Sequence, residues 1–422
     1  AQQAREMVAS GLISIQSHTY DMHQWPPYES GSAVRENILP LPGEGEEAYV
    51  QALLQEIRYY GTQLRDCEIS TVYIGGGTPS WLSQELMLAI LDTIGSSFHI
   101  NKKVEATIEC NPGTLTKSKL LAYREAGVNR LSIGLQSANN EELKRLGRIH
   151  TFEQFMKTYE MARNAGYGNI NIDLMSGLPY QKVEDYLRSL QSVIRIRPEH
   201  VSAYSLIIEK GTPFYEKYKF DAVKQEAGMK PDILPDENET YRMIKLTQQL
   251  LAEAGYAQYE ISNFAKPGYE CRHNIGYWTR ENYLGVGLGA ASLIDNVRYS
   301  NTRDLYKYIE ECSNIYKMSY DPSEPAQLSA PKPEYITNLH ASVEPVTKQA
   351  QMEEFMFLGL RMTEGVTRAR FEECFSMPIE TVYREEIEQL KAEGLLIARE
   401  GRIVLTDKGL DLSNYAMAKF LR

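Results

Sequence analysis

From residue 69 onward the chain alternates between two hydrophobic rhythms. Short apolar runs rich in Val and Ile fall at residues 70–74, 104–109, 130–134, 169–175 and 200–206. Each is followed by a longer stretch with apolar positions three and four apart, such as 83–94 and 152–165. The first rhythm predicts buried strands and the second amphipathic helices. Strand centres about 25 to 40 residues apart predict successive βα units around a parallel sheet. The expected closure is a complete or partial TIM-type barrel, with chemistry on the loops after the strands' C-terminal ends.

Two stretches break the rhythm. Residues 216–235 are polar and interrupted by Pro231 and Pro235, and read as a connection. Residues 321–345 hold five prolines and read as a linker. Beyond the linker, helical patterns at 349–362, 366–375 and 379–394 lead to short strands at 395–399 and 402–405, then a last helix. Three helices and a two-stranded wing predict a winged-helix-like α+β domain over 346–422. The expected organisation is therefore an N-terminal segment 1–45, an α/β barrel and its extension over 46–320, the linker, and this domain.

Composition narrows the class of protein. With 422 residues, 43% hydrophobic and 24% charged, the chain can bury a large core. No apolar run approaches the roughly 20 residues that span a bilayer, and the first residues lack a signal-peptide core, so a cytoplasmic location is expected. A net charge of −11 argues against nucleic-acid binding, which rests on neutralising phosphates. Residues 348–422 carry 13 acidic and 11 basic side chains, so the winged-helix-like domain offers no basic face either. Five scattered cysteines, Cys67, Cys110, Cys271, Cys312 and Cys374, make no disulfide framework.

Candidate chemistry begins where the first clear strand ends. Gly75-Gly76-Gly77-Thr78-Pro79 lets the backbone adopt positive φ and approach a ligand closely, although such a turn can also serve only to join strand and helix. It is followed by IECNPG at 108–113, NRLSIGLQS at 129–137, LGRIH at 146–150 and NIDLMSGLPYQ at 171–181. In order and spacing this series resembles the radical S-adenosylmethionine (SAM) proteins related to oxygen-independent coproporphyrinogen III oxidase. The segments HVSAYSLIIEKGTPFY at 200–215 and GYAQYEISNFAKPGYECRHNIGYW at 255–278, with the C-terminal LTDKGLDLSNYAMAKFL, are more similar to the HemW-type haem chaperones than to the oxidase.

The resemblance implies a radical-SAM-type barrel and a set of cofactor contacts. Gly75, Gly76, Gly77 and Thr78 would bind the amino-acid end of SAM, with Glu109 nearby. Gln136, Arg148 and Asp173 would take its carboxylate and ribose hydroxyls, and Gly285, Gly287 and Gly289 would complete the adenine side. Those side chains suit the task, since Arg clamps a carboxylate and Asp accepts from two hydroxyls. His273, with Tyr277 and Trp278 in the HNxxYW motif, is the candidate ligand of haem iron. Implied partners are haem and haem-accepting respiratory proteins.

One part of the pattern is missing. The family's first strand carries Tyr-Ile-His-Ile-Pro-Phe-Cys, and its Cys-x3-Cys-x2-Cys holds a [4Fe–4S] cluster. Here the stretch from Gly11 to Gly45 contains no cysteine, and no two cysteines of the chain lie within 35 residues of each other. His18 and His23 are one imidazole pair and do not replace three thiolates. Shifted by one base, codons for Tyr-Ile-His-Ile can read Ile-Ser-Ile, as at Ile13-Ser14-Ile15, and the family pattern resumes near Glu46. Two origins are open: a stretch read out of frame between compensating shifts, or divergence into a cluster-free protein. The functional expectation is a HemW-type chaperone without oxidase activity. The alternatives are the oxidase itself, which needs the cluster, and a cluster-free SAM- or haem-binding module.

Overall fold

The structure, a computed structural model, describes residues 13–16, 44–208, 212–318 and 338–422. His18, His23, most of the Gly11–Gly45 stretch and the larger part of the expected linker lie outside the described residues. Along the chain the strands are β1 (Ile13–Gln16), β2 (Glu68–Gly75), β3 (His99–Cys110), β4 (Arg130–Gln136), β5 (Ile170–Ser176), β6 (His200–Ser205), β7 (Ala257–Gln258), β8 (Asn263–Ala265) and β9 (Leu284–Val286). Then come β10 (Ala291–Ile294), β11 (Val297–Asn301), β12 (His340–Pro345), β13 (Val366–Thr367), β14 (Leu396–Arg399) and β15 (Arg402–Leu405). The chain divides into two compact units, one of Ala1–Glu109, Ala122–Asn129 and Cys271–Arg422, the other of Cys110–Leu121 and Arg130–Glu270.

In the first unit, β1 pairs in parallel with both β2 and β9, and β2 pairs in parallel with β3. The helix Gln84–Ser97 between β2 and β3 starts where Ser83 accepts the Leu86 N–H, a side-chain N-cap. Met87, Ile90, Leu91 and Ile94 recur on one face and are buried. That spacing keeps a single apolar stripe against the sheet. Strands β10, β11 and β12 form a separate antiparallel sheet. The last six residues of the proline-rich stretch are therefore a strand. Helices Lys348–Gly359, Arg368–Phe375 and Ile379–Ala392, with the sheet β13-β15-β14, give the expected three helices and wing. Phe355, Phe371, Phe375, Tyr383 and Phe420 stack edge to face at its centre.

In the second unit, β4, β5 and β6 are parallel, β8 pairs antiparallel with β6, and β7 pairs antiparallel with β8. Every residue of β4 is buried, as a strand covered on both faces requires. Residues 216–235 differ from expectation, because 213–226 form a helix. Thr212 caps it by accepting the Tyr215 N–H, and Pro213 supplies a preset φ at the first position. The turn after it is held by Asp221, whose carboxylate accepts the N–H groups of Asp232, Ile233 and Leu234 at 3.2, 2.6 and 2.8 Å.

Replacing Ile133, fully buried in β4, by Ala should cost about 2–5 kcal/mol through lost burial and a residual cavity. Urea denaturation of wild type and variant measures it; a loss below about 1 kcal/mol would mean that β4 is not packed on both faces.

Candidate functional site

Strand β2 ends in the glycine turn. Gly76 and Gly77 have φ of 79° and 107°, a region that side-chain-bearing residues avoid. At Gly75 the constraint is steric, since a Cβ there would stand 2.8 Å from the Glu109 carboxyl carbon and 2.7 Å from the Tyr73 ring. Glu109 straps the turn: Oε1 accepts the Tyr73 hydroxyl at 2.8 Å and Oε2 accepts the Gly76 N–H at 3.0 Å. Thr78, expected beside SAM, is buried at the end of the turn. In the same unit Gly287, at φ 107°, is gripped on both sides of its peptide. Its N–H donates to Glu56 Oε2 at 2.8 Å, and its carbonyl accepts from Asn301 Nδ2 at 2.8 Å. Gly285 has no room for a side chain, because the Ala291 carbonyl occupies the place of a Cβ.

Glu56 is fully buried and accepts from Asn301 Nδ2 and the Tyr308 hydroxyl, each at 2.6 Å. Burial pushes its pKa up to about 7, although Tyr308, Gly287 and Asn301 pull the other way. Neither Glu56 nor this network is marked by a motif. The only signal was an acidic residue on the apolar face of the helix Glu44–Gln63.

The remaining candidates for SAM contact, Gln136, Arg148 and Asp173, lie in the second unit. Gln136 closes β4 at φ 68°, where the β4–β5 register shifts, and its Oε1 accepts the Tyr204 hydroxyl at 3.0 Å. That bond fixes the amide, leaving its NH2 as the group to offer a ligand. Asp173, half-buried on β5, accepts from Asn171 Nδ2 at 2.7 Å through Oδ1. Desolvation raises its pKa above the usual carboxylate value; Asn171, Arg130, Ser202 and Arg148 oppose the shift without cancelling it. Arg148 is half-buried in the loop after the helix Asn140–Arg145. Near it His150 is buried, its Nε2 3.3 Å from the Leu135 carbonyl, and burial lowers its pKa to about 4. It is therefore neutral at pH 7 and leaves Arg148 and Arg130 as the cations acting on Asp173. Asn171 and Tyr204 lie within the segments at 171–181 and 200–215 and Tyr73 just before the glycine turn, but that they reach Asp173, Gln136 and Glu109 is visible only through the fold.

His273 is placed differently from a metal ligand. It is 2% exposed, in the helix Arg272–Trp278. Its Nδ1 pairs with the Thr71 hydroxyl at 2.8 Å and its Nε2 with the Tyr277 hydroxyl at 3.2 Å. The ring stacks on Tyr73 with centroids 4.8 Å apart. Glu105 caps the same helix, accepting the Arg272 and His273 N–H groups at 3.1 Å each and the Cys271 thiol at 3.6 Å. Trp278 lies under the Arg361 guanidinium at 4.2 Å. In this arrangement both imidazole nitrogens are engaged within the protein, so the ring does not fit an iron ligand. Nor do the thiols fit a cluster. Cys110, Cys271 and Cys312 are each buried as free thiols, and no group of three metal-ligating side chains occurs among the described residues.

Comparison with known proteins agrees with this architecture. Residues 30–192 match the radical SAM superfamily, and residues 346–412 the HemN C-terminal domain. The solved structure of coproporphyrinogen III oxidase (HemN) from Escherichia coli, a radical SAM enzyme, superposes with a TM-score of 0.72 over 91% of this chain and 85% of that one, at 21% identity. The fold is thus the radical-SAM-type partial barrel with a C-terminal α+β domain. Heme chaperone HemW of Lactococcus lactis is 34% identical over 381 residues, 90% of this chain and 91% of that protein. The Bacillus subtilis heme chaperone HemW is 34% identical over 376 residues, covering 89% and 91%. The chain belongs to the HemW family, as its motif series implied.

Glu56 gives this site a measurable pH signature. A carboxyl whose pKa rises on folding stabilises the protein below its unfolded pKa of about 4.5, and that stability is lost as pH climbs through about 7. The span corresponds to roughly 3 kcal/mol. Glu56→Gln should flatten this part of the stability profile between pH 5 and 8, read as the difference between wild-type and variant urea midpoints. Parallel profiles would show that Glu56 is not buried as described.

Proposed function

We propose that this chain is a haem-handling protein of the HemW type that holds SAM by hydrogen bonds and does no radical chemistry. The observation that carries the reading is a mismatch within one chain. The glycine turn, Gln136, Arg148 and Asp173 are intact, while no set of clustered thiolates exists to hold [4Fe–4S]. The residues present suit SAM. Gly76 and Gly77 hold the positive φ of a turn that can approach a ligand closely, and Asp173 can accept while Gln136 and Arg148 can donate. Bound SAM supplies a sulfonium-linked nucleoside, and without a cluster there is no electron donor to cleave it. What this chain's groups do is orient it: Arg148 and Gln136 face anionic or hydroxyl oxygens, and Asp173 accepts the ribose hydroxyls.

Haem enters as cargo. Support comes from two relatives named heme chaperones, each 34% identical over about nine-tenths of both chains. The oxidase reading has less support, since the oxidase shares the fold at 21% identity and its radical chemistry needs the missing cluster. We infer a cytoplasmic carrier that passes haem to respiratory proteins; among the described residues no helix is long and apolar enough to cross a membrane. Because its nitrogens are engaged, His273 ties the helix Arg272–Trp278 to β2 and is not the iron ligand.

Two measurements test this. Anaerobic reconstitution with iron and sulfide should leave the purified chain without the about four irons and four sulfides of a cluster; a stoichiometric cluster would refute the reading. Haem titration should give a Soret band that His273→Ala leaves in position, while the variant loses about 2–4 kcal/mol of stability through the lost Thr71 and Tyr277 hydrogen bonds and the lost stacking on Tyr73. A folded His273→Ala protein that no longer shifts the haem spectrum would restore His273 as the ligand. No haem binding by wild type would leave a SAM-binding module.

A further inference from the structure

Beside Asp173 a file of polar side chains crosses the buried face of β4, β5 and β6. Asn171 precedes Asp173 by two residues on β5, so the two side chains leave the same face of the strand. The parallel register sets Asn171 beside His200 and Asp173 beside Ser202 on β6. Asn171 Nδ2 lies 2.7 Å from Asp173 Oδ1 and 2.8 Å from Ser132 Oγ. Its Oδ1 lies 2.6 Å from His200 Nδ1 and 3.1 Å from Ser202 Oγ. His200 Nε2 lies 2.8 Å from the Tyr259 hydroxyl.

The donors in this file follow from chemistry. An ionised carboxylate only accepts, so Asn171 must turn its NH2 toward Asp173 and its carbonyl toward His200. That carbonyl needs a donor, which puts the imidazole proton on Nδ1. His200 is completely buried, and desolvation, with Arg130 second, holds its pKa well below the usual histidine value. The ring is neutral and Nε2 accepts from Tyr259. Every link therefore donates in one direction, from Tyr259 through His200 and Asn171 to Asp173 Oδ1.

Such a file is expensive as mere filling. Buried polar groups gain little over apolar side chains of similar size, and a partly satisfied set is worse than an apolar core. Strands covered on both faces usually carry Val, Ile and Leu at these positions. Here the polar residues lead to Asp173, the carboxylate expected to meet the ribose.

We propose that Asn171, His200 and Tyr259 are positioning residues that fix Asp173 through Oδ1 and so orient its carboxylate toward a vicinal ribose diol. The proposal rests on the reading of Asp173 as the ribose acceptor. It makes preference for an intact ribose a property of the whole file, with Asp173 as only its last member.

The test is calorimetric titration of the full-length, cluster-free chain with S-adenosylhomocysteine and its 2′-deoxy and 3′-deoxy counterparts. Wild type should bind the intact nucleoside at least about tenfold more tightly, because a site built around a hydroxyl is left with an unpaired group when it is missing. Asp173→Asn and Asn171→Leu should erase that ratio, and His200→Phe should cut it at least about threefold. His200→Gln, whose amide can still donate to Asn171, should recover most of it. If Asp173→Asn erases the ratio while Asn171→Leu and His200→Phe keep the wild-type value, the relay is wrong and the ribose reading survives. Equal wild-type affinities for all three ligands would sink the ribose reading and the relay with it. Should the variants fail to fold, the 15N shifts of His200 in the unaltered protein decide the point. Protonated Nδ1 with bare Nε2 from about pH 5 to 8 is expected, and the opposite tautomer would overturn the proposal.

Discussion

Carboxylates accepting main-chain N–H groups fix the loops on which the first unit's candidate residues stand. Glu109 holds Gly76, Glu56 holds Gly287, and Glu105 holds Arg272 and His273, all at 2.8–3.1 Å. Charge-assisted bonds of this kind are roughly twice as strong as neutral ones, and they work without a side chain on the loop. Glycine can therefore occupy the turns, where φ is positive and a Cβ would collide with a neighbour. The second unit uses the same device, with Asp221 holding Asp232, Ile233 and Leu234.

Much of the fold is legible in the sequence because its strands are buried on one or both faces. All five expected strands from 70 to 206 occur, and most differ only by a residue or two at their ends. The helix at 213–226 was hidden because few of its positions are buried, Tyr218 and Ala222 among them, so its apolar stripe is thin. The Thr212-Pro213 pair was the available signal, a cap followed by a proline at the first helical position. The β12 strand was hidden by Pro345 and by side chains that are nearly all exposed.

The candidate site divides along the same line. Gly75 to Thr78, Glu109, Gln136, Arg148 and Asp173 stand out in the sequence because they fall in segments that resemble the family's. Their supports emerge only from the fold: Tyr73, Tyr204 and Asn171 reach Glu109, Gln136 and Asp173 through strand pairing and burial. His273 shows how packing changes what a residue has to offer. A histidine among aromatics suggests an iron ligand, yet Thr71 lies 202 positions away and takes Nδ1. Sequence adjacency reveals which groups a residue has, and only packing reveals which are already engaged.

Binding without iron is the central claim, and isothermal titration of SAM into the metal-free chain, with and without an iron chelator, tests it most directly. The account predicts weak binding, about micromolar or poorer, that the chelator leaves unchanged and that Asp173→Ala reduces. Binding that appears only after iron and sulfide are supplied, or that survives Asp173→Ala intact, would contradict it.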